Sequence, residues 1–110
     1  MRIYSLAICA IRRNDGKILV RAENPDQVTV VDDTYYFHPD IVNLDGLEKT
    51  GRIYQCPHKG TCYWIDLVTE KGVIVDAFWV YPEPKAGYHH IAGWYGFYVS
   101  HRYYETKECD

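Results

Sequence analysis

Paired zinc knuckles, basic stripes and an export signal are all missing from this sequence. The four cysteines are Cys9, Cys56, Cys62 and Cys109, and no two of them stand in a C-x-x-C spacing. Structural zinc sites usually use at least one such pair, so no metal site is expected. No run of Lys or Arg is longer than Arg12-Arg13, and the formal charge is −3. That excludes a nucleic-acid binder that relies on phosphate contacts. The apolar run from Leu6 to Ile11 is too short to cross a bilayer, and no small-residue cleavage pattern follows it. The expectation is a cytoplasmic protein without a membrane partner, in a reducing compartment that argues against disulfides. A Gly-rich phosphate loop, a G-x-S-x-G elbow and an H-E-x-x-H pair are also absent, and no cofactor is expected.

What the chain does have is rings. Eleven Tyr and three Trp fall within 110 residues. Each such ring has a polar end that needs water or a hydrogen-bond partner, which favours strands and pockets over an aliphatic helical core. The length suits a single domain spanning 1–110, able to bury roughly 65% of its unfolded surface in one core.

The pattern along the chain reads as mainly β. Asn14-Asp15-Gly16 is a turn signal between Arg2–Arg13 and Lys17–Ala22, which predicts a hairpin. Val28–Val31 and Tyr35–Phe37 predict two further strands, and Val42–Gly51 shows no clear period. Arg52–Cys56, Thr61–Val68 and Val73–Tyr81 predict a three-strand antiparallel meander, because short loops join them. A four-residue second loop sets Val68 against Val73, Trp64 against Ala77 and Cys62 against Trp79. One face then carries Cys62, Trp64, Val68, Val73, Val75, Ala77 and Trp79. The other carries Tyr63, Ile65, Leu67, Ile74, Phe78 and Val80. Both faces are mostly apolar, so both must be covered or one must line a cavity. Asp66 and Asp76 fall inside these apolar strands, where a carboxylate must pair, desolvate or lie at an edge, and edge placement is expected. Lys85–Gly93 predicts a short helix near the C-terminus, Trp94–Val99 a last strand, and 100–110 a loosely held tail.

The turn Cys56-Pro57-His58-Lys59-Gly60 concentrates a thiol, an imidazole and an amine beside a strand of aromatics. Two loop lengths are open. A four-residue loop pairs Cys56 with Thr61 and points Cys62 the other way, whereas a five-residue loop sets Cys56 against Cys62, close enough to bridge. The compartment argument favours the first. A neighbouring cation lowers a thiol pKa and makes the nucleophilic thiolate, so Cys56 and Lys59 are the catalytic candidates. The ordinary alternative is a buried Cys acting as a small hydrophobe and a solvated or salt-bridged Lys. His89 and His90 are adjacent and cannot readily share one ligand.

Cys56-Pro57-x-Lys59-Gly60, then Tyr63-Trp64, Trp79-x-Tyr81-x-x-Pro84, Ile91-x-Gly93 and Phe97-Tyr98 occur in that order. This series resembles domain-of-unknown-function family 427. The segment Tyr35–Val42 is similar to the family's Tyr-Phe-Pro block, with the proline displaced. The resemblance implies a compact β-tent, Mss4-like, of antiparallel strands. Many proteins of that architecture hold zinc through paired C-x-x-C knuckles, which this chain lacks. A nucleotidyltransferase label sometimes attached to the family calls for a Gly-Ser pair and spaced carboxylates, and no Gly-Ser pair occurs here.

The functional expectation is a small-ligand pocket between the two sheets. Cys56, His58 and Lys59 would form its rim, and Tyr63, Trp64, Trp79, Tyr81 and Trp94 its walls. Lys59 would anchor an anionic group. Whether the protein is an enzyme is left open: the alternatives are a thiol-dependent enzyme using Cys56, or an interaction module that docks a partner or a second copy through an apolar face or a free strand edge.

Overall fold

The computed structural model describes residues 7–110. Among the described residues, nine strands form two antiparallel sheets. They are β1 (Ala7–Arg12), β2 (Ile18–Ala22), β3 (Val28–Val31), β4 (Thr34–Phe37), β5 (Leu47–Cys56), β6 (Gly60–Thr69), β7 (Gly72–Val80), β8 (Tyr95–Phe97) and β9 (Tyr104–Cys109). A three-stranded sheet runs in the order β2-β1-β9, and a six-stranded sheet in the order β3-β4-β8-β7-β6-β5. The mainly β reading holds. Among the described residues there is no α-helix. The short helix expected over Lys85–Gly93 is only a 3-10 turn at His89–Ile91, as befits a segment bounded by Pro84 and by Gly93 at φ +77°. No helix of the described residues is long and apolar enough to cross a membrane.

The segment read as a loose tail is β9, paired along its length with β1 from Ala7↔Cys109 to Arg12↔Tyr104. Tyr104 anchors it. Its ring is fully buried, and its hydroxyl donates to the Ala77 carbonyl at 2.7 Å while accepting the Tyr98 N–H at 2.9 Å. A disulfide joins Cys9 to Cys109, with Cα atoms 5.9 Å apart. The expectation of no disulfides is overturned, and the cytoplasmic reading loses the support that free thiols would have lent it. The polar run before Arg52, which showed no period, is the first half of β5, an exposed edge strand with no apolar alternation to reveal it.

The meander β5-β6-β7 forms as expected, but its register is bent twice. Val68 pairs with Val73 as predicted, yet Trp64 pairs with Trp79 rather than Ala77. Between Ile65↔Phe78 and Leu67↔Ile74, β7 uses Val75, Asp76 and Ala77 against the single Asp66 of β6. Between Lys49↔Ile65 and Ile53↔Tyr63, β5 uses Thr50, Gly51 and Arg52 against Trp64. These bulges bring Arg52 and Asp76 together beside Asp66. Asp76 has φ +54°. Asp66 accepts the Asp76 N–H at 2.9 Å and pairs with Arg52, which also donates to Asp76 at 2.7 Å. The two carboxylates are therefore paired within the sheet, since β6 and β7 are interior strands, and do not lie at an edge.

The bulge separates the two faces. Phe37, Ile65, Ala77, Phe78, Val80, Phe97 and Tyr104 pack against Ala10, Val20 and Ala22 of the smaller sheet as one core. Ala77 has crossed to this face from the one predicted. Tyr36, Cys62, Trp79, Tyr81 and Ile91 form a second cluster on the opposite face, with Trp64, Tyr88, Trp94 and Tyr98 packed around it. Trp79 lies flat over Gly96, where an added Cβ would meet the indole at 2.1 Å. Only glycine lets the indole N–H reach the Tyr36 hydroxyl at 3.0 Å.

Candidate functional site

The hairpin between β5 and β6 is tighter than either length considered. Cys56 pairs with Gly60, leaving Pro57, His58 and Lys59 as the loop. Gly60, at φ +108°, allows this closure. Tyr54↔Cys62 is the next pair on the same face, so Cys56 and Cys62 share that face, contrary to the favoured reading. Residues 83–85 brace the tip from the side. The Lys85 N–H donates to the Lys59 carbonyl at 2.8 Å, and the Lys85 ammonium donates to the Pro57 carbonyl at 3.0 Å.

Cys56 is half-buried and Cys62 is fully buried; neither is in a disulfide. Burial alone raises the Cys56 pKa. The Lys59 and His58 N–H groups, the Lys59 charge and the Tyr81 hydroxyl outweigh that and hold the thiol below its usual value. The Lys59 N–H lies 3.4 Å from the sulfur. Converging backbone N–H groups of this kind favour an anion. Burial pushes Cys62 the other way, up to about 11, although Tyr81 also donates to it. The Tyr81 hydroxyl thus sits beside both sulfurs and is itself held neutral, chiefly by burial.

Lys59 does not stand free. Its side chain is 12% exposed and ion-paired with Asp32, and its ammonium lies 5.5 Å from the Tyr88 ring centroid. Burial lowers its pKa, but the Asp32 hydrogen bond and charge more than compensate, so the amine stays protonated. Asp32 comes from the β3–β4 turn, where Asp32 and Asp33 have φ +50° and +63°. The sequence showed that turn but gave no sign that it reaches Lys59. Tyr36, whose hydroxyl accepts the Trp79 indole N–H, was not among the expected site residues either.

Of the eight residues expected at a ligand site, Cys56, Lys59, Trp64, Trp79, Tyr81 and Trp94 are gathered on the outer face of the six-stranded sheet. His58 lends its backbone N–H, but its ring is exposed. Tyr63 points to the opposite face, where it packs on the inter-sheet core. It also lines a shallow hollow of about 360 Å³ with Lys49, Thr61, Pro82 and Glu83. The space between the sheets holds a larger hollow of about 630 Å³, lined by Leu19, Leu67, Ile74, Phe78 and Phe97 with Lys17 and Lys71. None of the eight residues touches it. The cause is strand alternation: Trp64, Trp79 and Cys62 face away from the smaller sheet.

A comparison with curated proteins finds no match. The family described as "Domain of unknown function (DUF427)" matches residues 12–108, and the chain belongs to that family.

Proposed function

We propose that this domain binds a small ligand on the outer face of its larger sheet, with the Cys56 thiolate as the polar anchor. One observation carries the reading: a half-buried sulfur at a hairpin tip faces the Lys59 N–H at 3.4 Å, with a protonated lysine and a tyrosine hydroxyl around it. Thiolate character is what turns a cysteine from a small hydrophobe into a ligand or nucleophile. An electron-poor ligand suits such an anchor. Lys59 is occupied by Asp32, so it contributes charge that favours the thiolate and leaves direct contact to sulfur. Trp64, Trp79, Tyr81 and Trp94 give an apolar bed beside it. The inter-sheet core draws on residues from Ala10 to Tyr104, which supports one folding unit over 1–110, and the pair of antiparallel sheets supports the β-tent architecture.

The test is alkylation of Cys56 by a neutral thiol reagent across pH, read by peptide mass. The midpoint is expected below the ordinary thiol value of 9.0, and Lys59→Ala moves it upward. A midpoint at or above the ordinary value in the wild-type protein overturns the reading.

A further inference from the structure

The two diagonal cysteine pairs of this chain have the same relation to their sheets. Cys109 faces Ala7, and its disulfide partner Cys9 stands two residues further along that strand. Cys56 faces Gly60, and Cys62 stands two residues further along that strand. The right-handed twist of a sheet brings one diagonal closer than the other, and these pairs lie on the same diagonal. At the first pair the Cα atoms are 5.9 Å apart, inside the range that a disulfide spans. At the second pair, Gly60 opposite Cys56 leaves no side chain in the way, and the Tyr81 hydroxyl lies near enough to both sulfurs to lower their pKa.

We propose that Cys56 and Cys62 form a reversible disulfide couple that reduces a hydroperoxide, with Cys56 attacking and Cys62 resolving. This rests on the reading of Cys56 as a thiolate. In the first step the Cys56 sulfur attacks the terminal peroxide oxygen. An S–O bond forms, the O–O bond breaks, and the departing alkoxide takes a solvent proton to become an alcohol. Sulfur loses two electrons, the peroxide gains them, and Cys56 becomes a sulfenic acid. In the second step the Cys62 sulfur attacks the Cys56 sulfur. An S–S bond forms, the S–O bond breaks, and the hydroxide leaves with the Cys62 proton as water. A dithiol reductant restores both thiols by two exchanges, giving up its two protons and becoming a disulfide.

Exposure divides the roles. Cys56 is half-buried and reachable at the hairpin tip, whereas Cys62 is 1% exposed and can act only from within. Cys62, with its high pKa, stays a thiol until a sulfenic acid forms beside it. Tyr81 lies beside both sulfurs, where its hydroxyl can donate to either one.

The experiment treats the full chain with hydrogen peroxide, then digests it without reductant and reads the peptides by mass, with dimedone present to trap sulfenic acid. The wild-type protein is expected to give a Cys56–Cys62 linkage, seen as a loss of two hydrogen masses and reversed by dithiothreitol. Cys62→Ala is expected to lose the linkage and to accumulate the dimedone adduct on Cys56 roughly tenfold over wild type. The Cys9–Cys109 linkage is the internal control for digestion. A wild-type protein that carries the adduct on Cys56 with no linkage overturns the couple and leaves the thiolate reading standing. A wild-type protein with neither product, whose Cys56 alkylates like a free thiol, overturns both.

Discussion

The inner face of the six-stranded sheet presents Phe37, Ile65, Phe78, Val80 and Phe97 to the smaller sheet; the outer face presents Tyr36, Cys62, Trp79 and Tyr81 to Ile91 and Trp94. Both faces are rich in rings, and both bury them. They differ in the ends of those rings. The inner face is largely hydrocarbon, and its buried Tyr104 hydroxyl is fully engaged by backbone. On the outer face the rings end in groups that can donate: the Trp79 indole N–H donates to the Tyr36 hydroxyl, and the Tyr81 hydroxyl lies beside the two thiols. Hydrocarbon contacts set stability in proportion to area, whereas polar groups held in partly dry surroundings tune ionisation. One sheet therefore builds the inter-sheet core on one side and gathers polar-tipped rings around two thiols on the other.

The division can be broken or sharpened by substitution. Phe78→Ala removes a fully buried inner ring and is expected to cost about 4 kcal/mol in urea denaturation. Its Cys56 alkylation midpoint should not move, and a large shift there would mean the faces are not separable. Gly96→Ala strikes the seam between them, because the new methyl would displace the Trp79 indole. It is expected to cost about 3 kcal/mol and to free the Tyr36 hydroxyl, read as increased Trp fluorescence accessibility. Lys59→Ala should cost only about 1 kcal/mol, since Asp32 is largely exposed, yet it should raise the Cys56 midpoint. A large stability loss with an unmoved midpoint would assign Lys59 a structural role instead.

The smallest effect is alkaline. Burial holds the folded Cys62 pKa at about 11, above its ordinary value of 9.0. The stability contribution of a group raised in this way is fully present below the unfolded value and is lost as pH rises through the folded one. Denaturation midpoints of wild type should therefore fall between those two values. Cys62→Ala should fall less, with the remainder due to buried tyrosines such as Tyr81 and Tyr104.

Much of the inter-sheet core was legible in the sequence. Ile65, Leu67, Ile74, Phe78 and Val80 share the face that simple alternation assigns them, and Val68 meets Val73 because the turn at Gly72 is short. The candidate site was legible as a set of residues but not as a place. Alternation gives no sign of which side of a sheet the second layer covers, so a pocket expected between the sheets is instead a cluster on the outside. The bulges at Trp64 and Asp66 were invisible because their cause is tertiary: Arg52, Asp66 and Asp76 meet across three strands. Asp32 reaches Lys59 from a turn 27 residues away, and no local pattern encodes that. β9 was missed because Glu105, Lys107 and Glu108 look like a solvated tail, while its hold on the fold comes from Tyr104, Thr106 and Cys109.

The sulfur bond between Cys9 and Cys109 also has a mechanical meaning. Its two ends are 100 positions apart in sequence and belong to neighbouring strands. A molecule gripped beyond those ends and pulled would transmit the load straight across the bond. Roughly 330 Å of contour length would stay hidden behind it and appear only after reduction.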